Sequence, residues 1–208
     1  MKAHVYIEGG GDSKELHIEC RRGFRMLLEA YGFKDMPRLT ACGGRGEAFD
    51  NFKNAHANAS PDLYVAMLVD SEDLVADIEK PWEHLLARDN WKQPAKATDE
   101  QALLMTTCME TWIVTDREAL RAHYGACLQE SALPELTILE QRHRDAVQNA
   151  LVRATRTCKN AYKKGKRSFE VLGALSPERL NEADLPSFQR FLRILRKKLK
   201  LKPRTTKK

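Results

Sequence analysis

The chain has 208 residues, of which 42% are hydrophobic and 31% are charged, and its formal net charge is +6. This length suits one compact domain, and the hydrophobic content excludes a chain that is disordered by composition. No stretch approaches the ~18 consecutive apolar residues of a transmembrane helix, so we expect a soluble protein.

The excess positive charge is concentrated at the C-terminus. The segment 196–208 contains eight basic residues and no acidic one, so the remaining 27 basic residues face 29 acidic ones, a balance of −2. A basic end of this kind is most often a solvated tail, and contact with phosphates is the alternative. Net charge alone therefore does not identify a nucleic-acid-binding protein.

The cysteines favour a reducing compartment. They are widely spaced and form no C-x-x-C pair, which excludes both a zinc ribbon and a disulfide framework. Their positions are Cys20, Cys42, Cys108, Cys127 and Cys158. The N-terminus enters a strand pattern without the apolar core of a secretory signal. We therefore expect a cytoplasmic protein without membrane association, whose cysteines are reduced core residues.

The first 70 residues alternate between strand and helix patterns. The predicted elements are strands at 3–7, 38–42 and 63–69 and helices at 16–31 and 47–57. Apolar residues recur with a 3.6-residue period in the first helix, which Asp12 or Ser13 caps. The third strand is a continuous apolar run, typical of a strand buried on both faces. This order predicts an α/β fold, with a mostly parallel sheet flanked by helices.

The second half of the sequence is mainly helical. A partly helical excursion after residue 73 precedes a fourth strand at 102–107 and a helix at 108–124. Further helices are predicted at 139–155, 168–175 and 187–199. The last one carries an apolar stripe that packs on the domain or on a partner. The chain thus divides into an α/β domain (1–125), a helical extension packed on it (126–195) and a basic tail (196–208).

Acidic residues follow two of the predicted strands. Glu8 ends the first strand, while Asp70 and Glu72 follow the third. The carboxyl ends of parallel strands share one edge of the sheet, and residues 70 and 72 project to the same side if the backbone stays extended. Converging carboxylates repel one another, and Mg²⁺ or Mn²⁺ offsets that repulsion. Capping or a structural hydrogen bond is the alternative for Glu8, and helix capping is the alternative for Asp12 and Asp73.

The glycine-rich segments match no nucleotide-binding motif. Neither Gly9–Lys14 nor Gly43–Gly46 fits G-x-x-x-x-G-K-[ST] or G-x-G-x-x-G. The second segment is predicted to be a plain turn, with a phosphate-binding turn that uses Arg45 as the alternative. No G-x-S-x-G or histidine relay supports a hydrolase triad.

Together these residues resemble the Toprim domain of topoisomerases, primases and overcoming-lysogenization-defect nucleases. That domain has Glu-Gly after its first strand and an acidic pair after its third, and Glu8-Gly9 and Asp70-Ser71-Glu72 occupy those places. The second acid is Glu instead of the usual Asp. The sequence around Glu8, the V-D-S-E-D run and the Met109-Glu110-Thr111-Trp112 block look like an uncharacterised bacterial Toprim-like family, similar to RloB-like proteins and often encoded beside AAA-type or ABC-type ATPases.

The resemblance implies a metal-dependent nuclease acting on DNA or RNA, the effector of an ATPase-associated anti-phage defence system. Glu8, Asp70 and Glu72 would then hold one or two Mg²⁺ or Mn²⁺ ions, with Asp12 or Asp73 as outer or second-ion ligands. Glu110 positions its helix or contributes a further ligand.

The segment 159–167 is the best internal candidate for contacts with phosphates. Its basic residues surround Tyr162, and one lysine could act on the scissile phosphate. They are Lys159, Lys163, Lys164, Lys166 and Arg167. A solvated basic loop is the alternative.

A non-catalytic regulatory or adaptor subunit of an AAA-type or ABC-type ATPase is the competing function. In that case the carboxylates bind an ion or cap helices, and the last helix and the tail form the docking surface. Topoisomerase or primase activity does not suit so short a chain without a zinc module. The sequence leaves the choice between DNA and RNA and the oligomeric state open.

Overall fold

A computed structural model describes residues 1–201, and the fold alternates strands and helices before it becomes purely helical. The strands are β1 (Lys2–Gly10), β2 (Arg38–Gly43), β3 (Leu63–Asp70) and β4 (Ala102–Met105). The helices are α1 (Lys14–Ala30), α2 (Arg45–Ala57), α3 (Pro81–Asp89), α4 (Glu110–Thr115), α5 (Arg117–Tyr124), α6 (Arg144–Thr155), α7 (Lys166–Gly173), α8 (Pro177–Glu182) and α9 (Pro186–Leu199).

The four strands form one parallel sheet in the order β2-β1-β3-β4. The predicted α/β fold with a parallel sheet is therefore confirmed, and its arrangement is Rossmann-like. The chain builds outward from β1 to β2 and then returns across β1 to place β3 on its other side. The direction of building reverses between β1 and β3, and open α/β sheets place their ligands at such a point.

Helices cover both faces of the sheet because its strands are apolar on both sides. In β3, Leu68 faces a core shared with α1 and the C-terminal helices, whereas Met67 and Val69 face α2 and α3. On the first of these faces α7 packs against α1 and α9 packs against β4. The helical extension and the sheet thus share one hydrophobic core.

The start of α1 follows from its sequence. Ser13 lies in extended backbone, and its Oγ accepts a hydrogen bond from the N–H of Leu16 at 3.1 Å, so Ser13 caps the helix. The predicted apolar face is buried, including Phe24 and Leu27. None of the described helices is long and apolar enough to cross a membrane.

The predicted helix at 108–124 is interrupted at Asp116. The backbone of Asp116 is extended. The Asp116 carboxylate accepts hydrogen bonds from the N–H of Ala119 at 2.9 Å and of Ser176 at 2.7 Å. Asp116 therefore ends α4, caps α5 and fixes the chain before α8. The competition between capping and helix continuation explains why periodicity alone predicted one long helix.

The apolar stripe of α9 packs on the domain. Phe188, Phe191, Leu192 and Leu195 are buried in the core. α9 continues to Leu199, so the predicted helix at 187–199 is confirmed and the first four residues of the predicted basic tail belong to it. The rest of the predicted tail from residue 202 onward lies outside the described residues.

The expectation that all five cysteines are reduced is wrong for two of them. Cys127 and Cys158 form a disulfide, with their Cα atoms 5.3 Å apart. The other three are free thiols. The two bonded cysteines are 31 residues apart in sequence and become neighbours only through the packing of the helical extension.

A buried carboxylate holds the start of α9. Glu140 accepts hydrogen bonds from the backbone N–H of Ser187 at 2.9 Å and from its hydroxyl at 2.5 Å. Burial raises the pKa of Glu140 to about 7, although these hydrogen bonds oppose the rise. The folded protein therefore binds a proton at Glu140 more tightly than the unfolded chain does.

We expect this group to make the protein less stable as the pH rises. Its contribution is complete below 4.5, the ordinary pKa, and is lost as the pH passes about 7, a change of about 3 kcal/mol in the free energy of unfolding. Glu140→Gln should remove this pH dependence, as measured by urea unfolding between about pH 4 and pH 8. Glu135→Gln, at an exposed carboxylate, is the control. Equal pH dependence in wild type and Glu140→Gln would contradict the assignment.

Candidate metal centre

Three carboxylates converge at the carboxyl edge of the sheet. Glu8 lies near the end of β1, Asp70 ends β3, and Glu72 follows two residues later. One oxygen from each lies within 4.8 Å of the others. We call these three residues the acidic triad. It sits at the reversal point of the topology because β1 and β3 are hydrogen-bonded neighbours in parallel register.

The backbone reaches this arrangement differently from the prediction. β3 ends at Asp70, and Glu72 adopts a left-handed conformation with φ 68°, so the segment is not extended. The N–H groups of Ser71 and Glu72 donate to the carbonyls of Met105 at 3.0 Å and Thr107 at 2.9 Å. These bonds fold the segment around the end of β4, and the turn brings the Glu72 carboxylate back toward Glu8 and Asp70.

Burial and mutual repulsion make the triad a poor place for bare negative charge. Glu8 accepts a hydrogen bond from the N–H of Asp70 at 2.9 Å, and Asp70 accepts one from the N–H of Met109 at 2.8 Å. Burial nevertheless raises the pKa of Glu8, and burial together with the charges of Glu8 and Glu110 raises the pKa of Asp70 well above its ordinary value. A cation seated among the three groups would offset that cost.

Four basic side chains surround the triad. Arg45 lies 3.6 Å from Glu8, Arg88 lies 3.6 Å from Glu72, and Lys164 lies 3.7 Å from Asp70. Arg144 at the start of α6 forms a second ion pair with Glu72. Each acid of the triad therefore already has a cationic partner.

The charge of this cluster is close to balanced. Arg45 also pairs with Asp89 at 2.7 Å, and Arg88 also pairs with Asp73 at 2.8 Å. With the buried Glu110, whose charge also acts on Asp70, six acids and four cations together carry −2, and one divalent cation would neutralise the cluster. Metal binding would thus make the site more favourable for an anion, because the carboxylates would bind the metal and Lys164 and Arg144 could then contact a phosphate.

The structure does not bring every predicted ligand into this group. Asp73 contacts Arg88, and Asp12 is exposed in the turn between β1 and α1. Within residues 1–201, the triad is the one set of three or more such side chains close enough to share an ion.

Glu110 is held by hydrogen bonds inside the protein core. It is fully buried at the start of α4, and it accepts hydrogen bonds from the hydroxyl of Tyr162 and from Nε2 of Gln148 at 3.1 Å. Both carboxylate oxygens are therefore engaged by the helical extension, which favours the structural alternative.

Of the basic residues in the segment 159–167, Lys164 is the one that contacts the triad. The side chain of Lys164 is also exposed; partial desolvation opposes the charge on its amine, but Asp70, Glu110 and Glu8 together raise the pKa of Lys164. Lys159 and Lys163 are exposed. Lys166 pairs with Glu170 at 4.0 Å, and Arg167 donates to the carbonyl of Ala161 at 2.8 Å.

Arg88 and Arg144 are functional candidates that the sequence did not identify. Both occur in polar helical stretches with many other charged residues, and no local motif separates them from solvated arginines. Both matter because they contact Glu72, which is 16 or more positions away in sequence. Only the fold brings these residues together.

The chain belongs to a protein family described as a domain of unknown function (DUF4276), whose profile matches residues 7–196. The matched region contains the complete triad and its four basic partners. A search of curated proteins and a search of solved structures found no match.

We expect Mn²⁺ or Mg²⁺ to stabilise the wild-type protein against unfolding. At a metal concentration about 100 times the Kd, the gain is about 2.7 kcal/mol. Asp70→Asn should abolish the gain, because an amide still accepts the Met109 hydrogen bond but lacks the negative charge. Thermal unfolding with metal and with EDTA measures the effect.

Asp73→Asn is the matched control for this measurement. It removes a neighbouring carboxylate that lies outside the triad, so stabilisation by the metal should persist. Equal metal stabilisation of Asp70→Asn and wild type would contradict the proposed ligand set.

Proposed function

We propose that this protein is a metal-dependent nuclease that hydrolyses phosphodiester bonds in DNA or RNA. The observation that supports this most directly is the combination of an oxygen-only triad with basic side chains paired to the same three carboxylates. A site for a metal alone does not need Lys164, Arg88 and Arg144 at its rim. A site for a metal and a phosphate uses both sets of groups.

The donor atoms suit Mg²⁺ or Mn²⁺. All three ligands are carboxylates, and hard divalent cations prefer such oxygen donors. When bound, such an ion lowers the pKa of a coordinated water and stabilises the charge that develops at the phosphorus. Glu8, Asp70 and Glu72 would hold it.

The basic residues would bind and orient the substrate. Lys164 presents a compact ammonium 3.7 Å from Asp70, where it can contact a phosphate oxygen next to the metal. The guanidinium of Arg144 can contact two oxygens of one phosphate. Arg45 is anchored by Asp89 and by a 3.0 Å hydrogen bond to the carbonyl of Asp70, so it supports the triad.

The resemblance to Toprim nucleases supports the same proposal, and on that ground we propose an ATPase partner in an anti-phage defence system. The adaptor alternative has less support, because the apolar stripe of α9 that would form its docking surface is buried in the core. A buried stripe is not available to a partner while the protein is folded.

We expect purified wild-type protein to cleave nucleic acid in Mg²⁺ or Mn²⁺ but not in EDTA. Plasmid DNA, single-stranded DNA and total tRNA would be compared as substrates. Glu8→Gln should lower the rate to background, because it removes a charged ligand and leaves an acceptor for the N–H of Asp70. Glu29→Gln, at an exposed carboxylate on α1, should cleave like wild type.

The panel also separates the two functions. If no substrate is cleaved, it is repeated with the neighbouring ATPase and ATP. Cleavage that then requires Glu8 supports an effector that its partner activates. Cleavage that persists in Glu8→Gln would overturn the role of the triad.

Lys164→Met should lower kcat about 10²-fold, the loss typical of removing one group that stabilises developing charge. Lys163→Met is the matched control, since Lys163 is adjacent and exposed and makes no contact with the triad among the described residues. It should leave kcat unchanged and, if it contacts the backbone of the substrate, reduce the slope of log K against log salt by about 1. Equal kcat values for the two variants would exclude a role for Lys164 at the scissile phosphate.

A further inference from the structure

A cavity of about 250 Å³ opens beside the acidic triad. It lies between the end of β1 with Gly11, the first turn of α1, the end of β2 and the start of α7. We call it the glycine-loop cavity. It is lined by Glu8, Gly9, Gly10, Gly11, Leu16, Gly43, Asp70, Met105, Met109, Lys164, Gly165, Ser168 and Phe169.

The cavity has a mainly apolar lining that includes three charged side chains. Side chains of leucine, methionine and phenylalanine and the backbone of five glycines form most of its surface. The charged groups that border it, Glu8, Asp70 and Lys164, belong to the proposed reaction centre. A ligand in this cavity therefore has an apolar part inside and an anionic part at the triad.

Two glycines allow the walls of this cavity to pack closely. A Cβ at Gly10 would lie 2.5 Å from the His17 ring, and a Cβ at Gly43 would lie 2.7 Å from the carbonyl oxygen of Gly11. Both glycines have positive φ, which other residues rarely adopt. Side chains here would disrupt the walls, so the backbone itself forms the surface that a ligand meets.

The volume fits one flat ring system. A roughly 150 Å³ apolar cavity accommodates benzene, whereas pockets for drug-sized ligands span roughly 300 to 1,000 Å³. A cavity between these sizes suits a single pyrimidine or purine base. Its position beside Asp70 and Lys164 suits a base whose own phosphate lies at the triad.

We propose that the glycine-loop cavity binds one unstacked nucleobase adjacent to the phosphate that is cleaved, which makes single-stranded nucleic acid the substrate. This inference rests on the proposed nuclease function. A base inside a duplex is stacked and paired, so it would have to leave the helix before it could enter the cavity. A single strand presents such a base at much lower cost.

The first test compares single-stranded oligonucleotides in which one abasic nucleotide is moved along the sequence. Removing the base at one position next to the cleaved phosphate should lower kcat/KM about 10- to 100-fold, while removal elsewhere changes it little. The matched duplex should be cleaved more slowly than the single strand. Equal cleavage at every abasic position, or preference for the duplex, would overturn the proposal.

A cavity-filling variant tests the location. Leu16 is half-buried in the cavity wall, and Leu16→Trp would occupy the space with an indole. It should slow cleavage of the intact strand at least 10-fold but leave cleavage of the sensitive abasic strand at the wild-type rate. Ile18→Trp is the matched control, because Ile18 is exposed on the same helix outside the cavity. Equal losses on both substrates would place the base elsewhere, and thermal unfolding verifies that both variants fold.

A binding measurement separates failure of this proposal from failure of the nuclease function. Thymidine and adenosine 5′-monophosphates are titrated in Mg²⁺ while NMR records the methyl groups of Leu16, Met105 and Met109. Saturable shifts of these methyls, absent with inorganic phosphate, would support the base site even if no strand is cleaved. Cleavage of nucleic acid without such shifts would overturn the base site and leave the nuclease intact.

Discussion

The parallel pairing of β1 with β3 is the constraint on which the site depends. Their register places Ile7 beside Leu68, so Glu8, one residue beyond Ile7, and Asp70, two residues beyond Leu68, lie at the same edge. The hydrogen bond from the N–H of Asp70 to the Glu8 carboxylate joins the two strand ends directly. This pairing therefore brings two acids together at the point where the sheet topology reverses.

The helical extension completes this site. Repulsion among the triad would destabilise a sheet that held it alone, and the compensating cations come from α2, α3, α6 and the segment before α7. Arg88 and Arg144 both contact Glu72, the acid whose backbone departs from the strand. Arg144 and Lys164 therefore reach the triad only through contacts between segments distant in sequence. A truncated α/β domain would retain the carboxylates but lose Arg144 and Lys164.

The sequence predicted the parts of this arrangement that depend on local patterns. Strand periodicity and the positions of Glu8, Asp70 and Glu72 were enough to anticipate the fold class and the triad, because strand ends on one edge of a parallel sheet must converge. The left-handed turn at Glu72 was not predictable, since it depends on backbone bonds to Met105 and Thr107. Arg88 and Arg144 were missed for a related reason, as they lie in helices with ordinary charge patterns. The Cys127–Cys158 disulfide was not predictable either, because its two cysteines become neighbours only when the helical extension packs.

The first turn of α4 links the metal centre to the basic segment. The N–H of Met109 donates to Asp70, and the adjacent residue Glu110 accepts from Tyr162, two positions before Lys164. This stretch of backbone thus holds Asp70 through Met109 and holds Tyr162, close to Lys164, through Glu110. Glu110 is fully buried, and both of its carboxylate oxygens accept hydrogen bonds. A shift of Glu110 would therefore displace both Asp70 and the segment that contains Lys164. Glu110 therefore acts on the site from behind it: its hydrogen bonds hold the neighbouring backbone, its charge raises the pKa of Asp70 and of Lys164, and it does not line the cavity beside the triad.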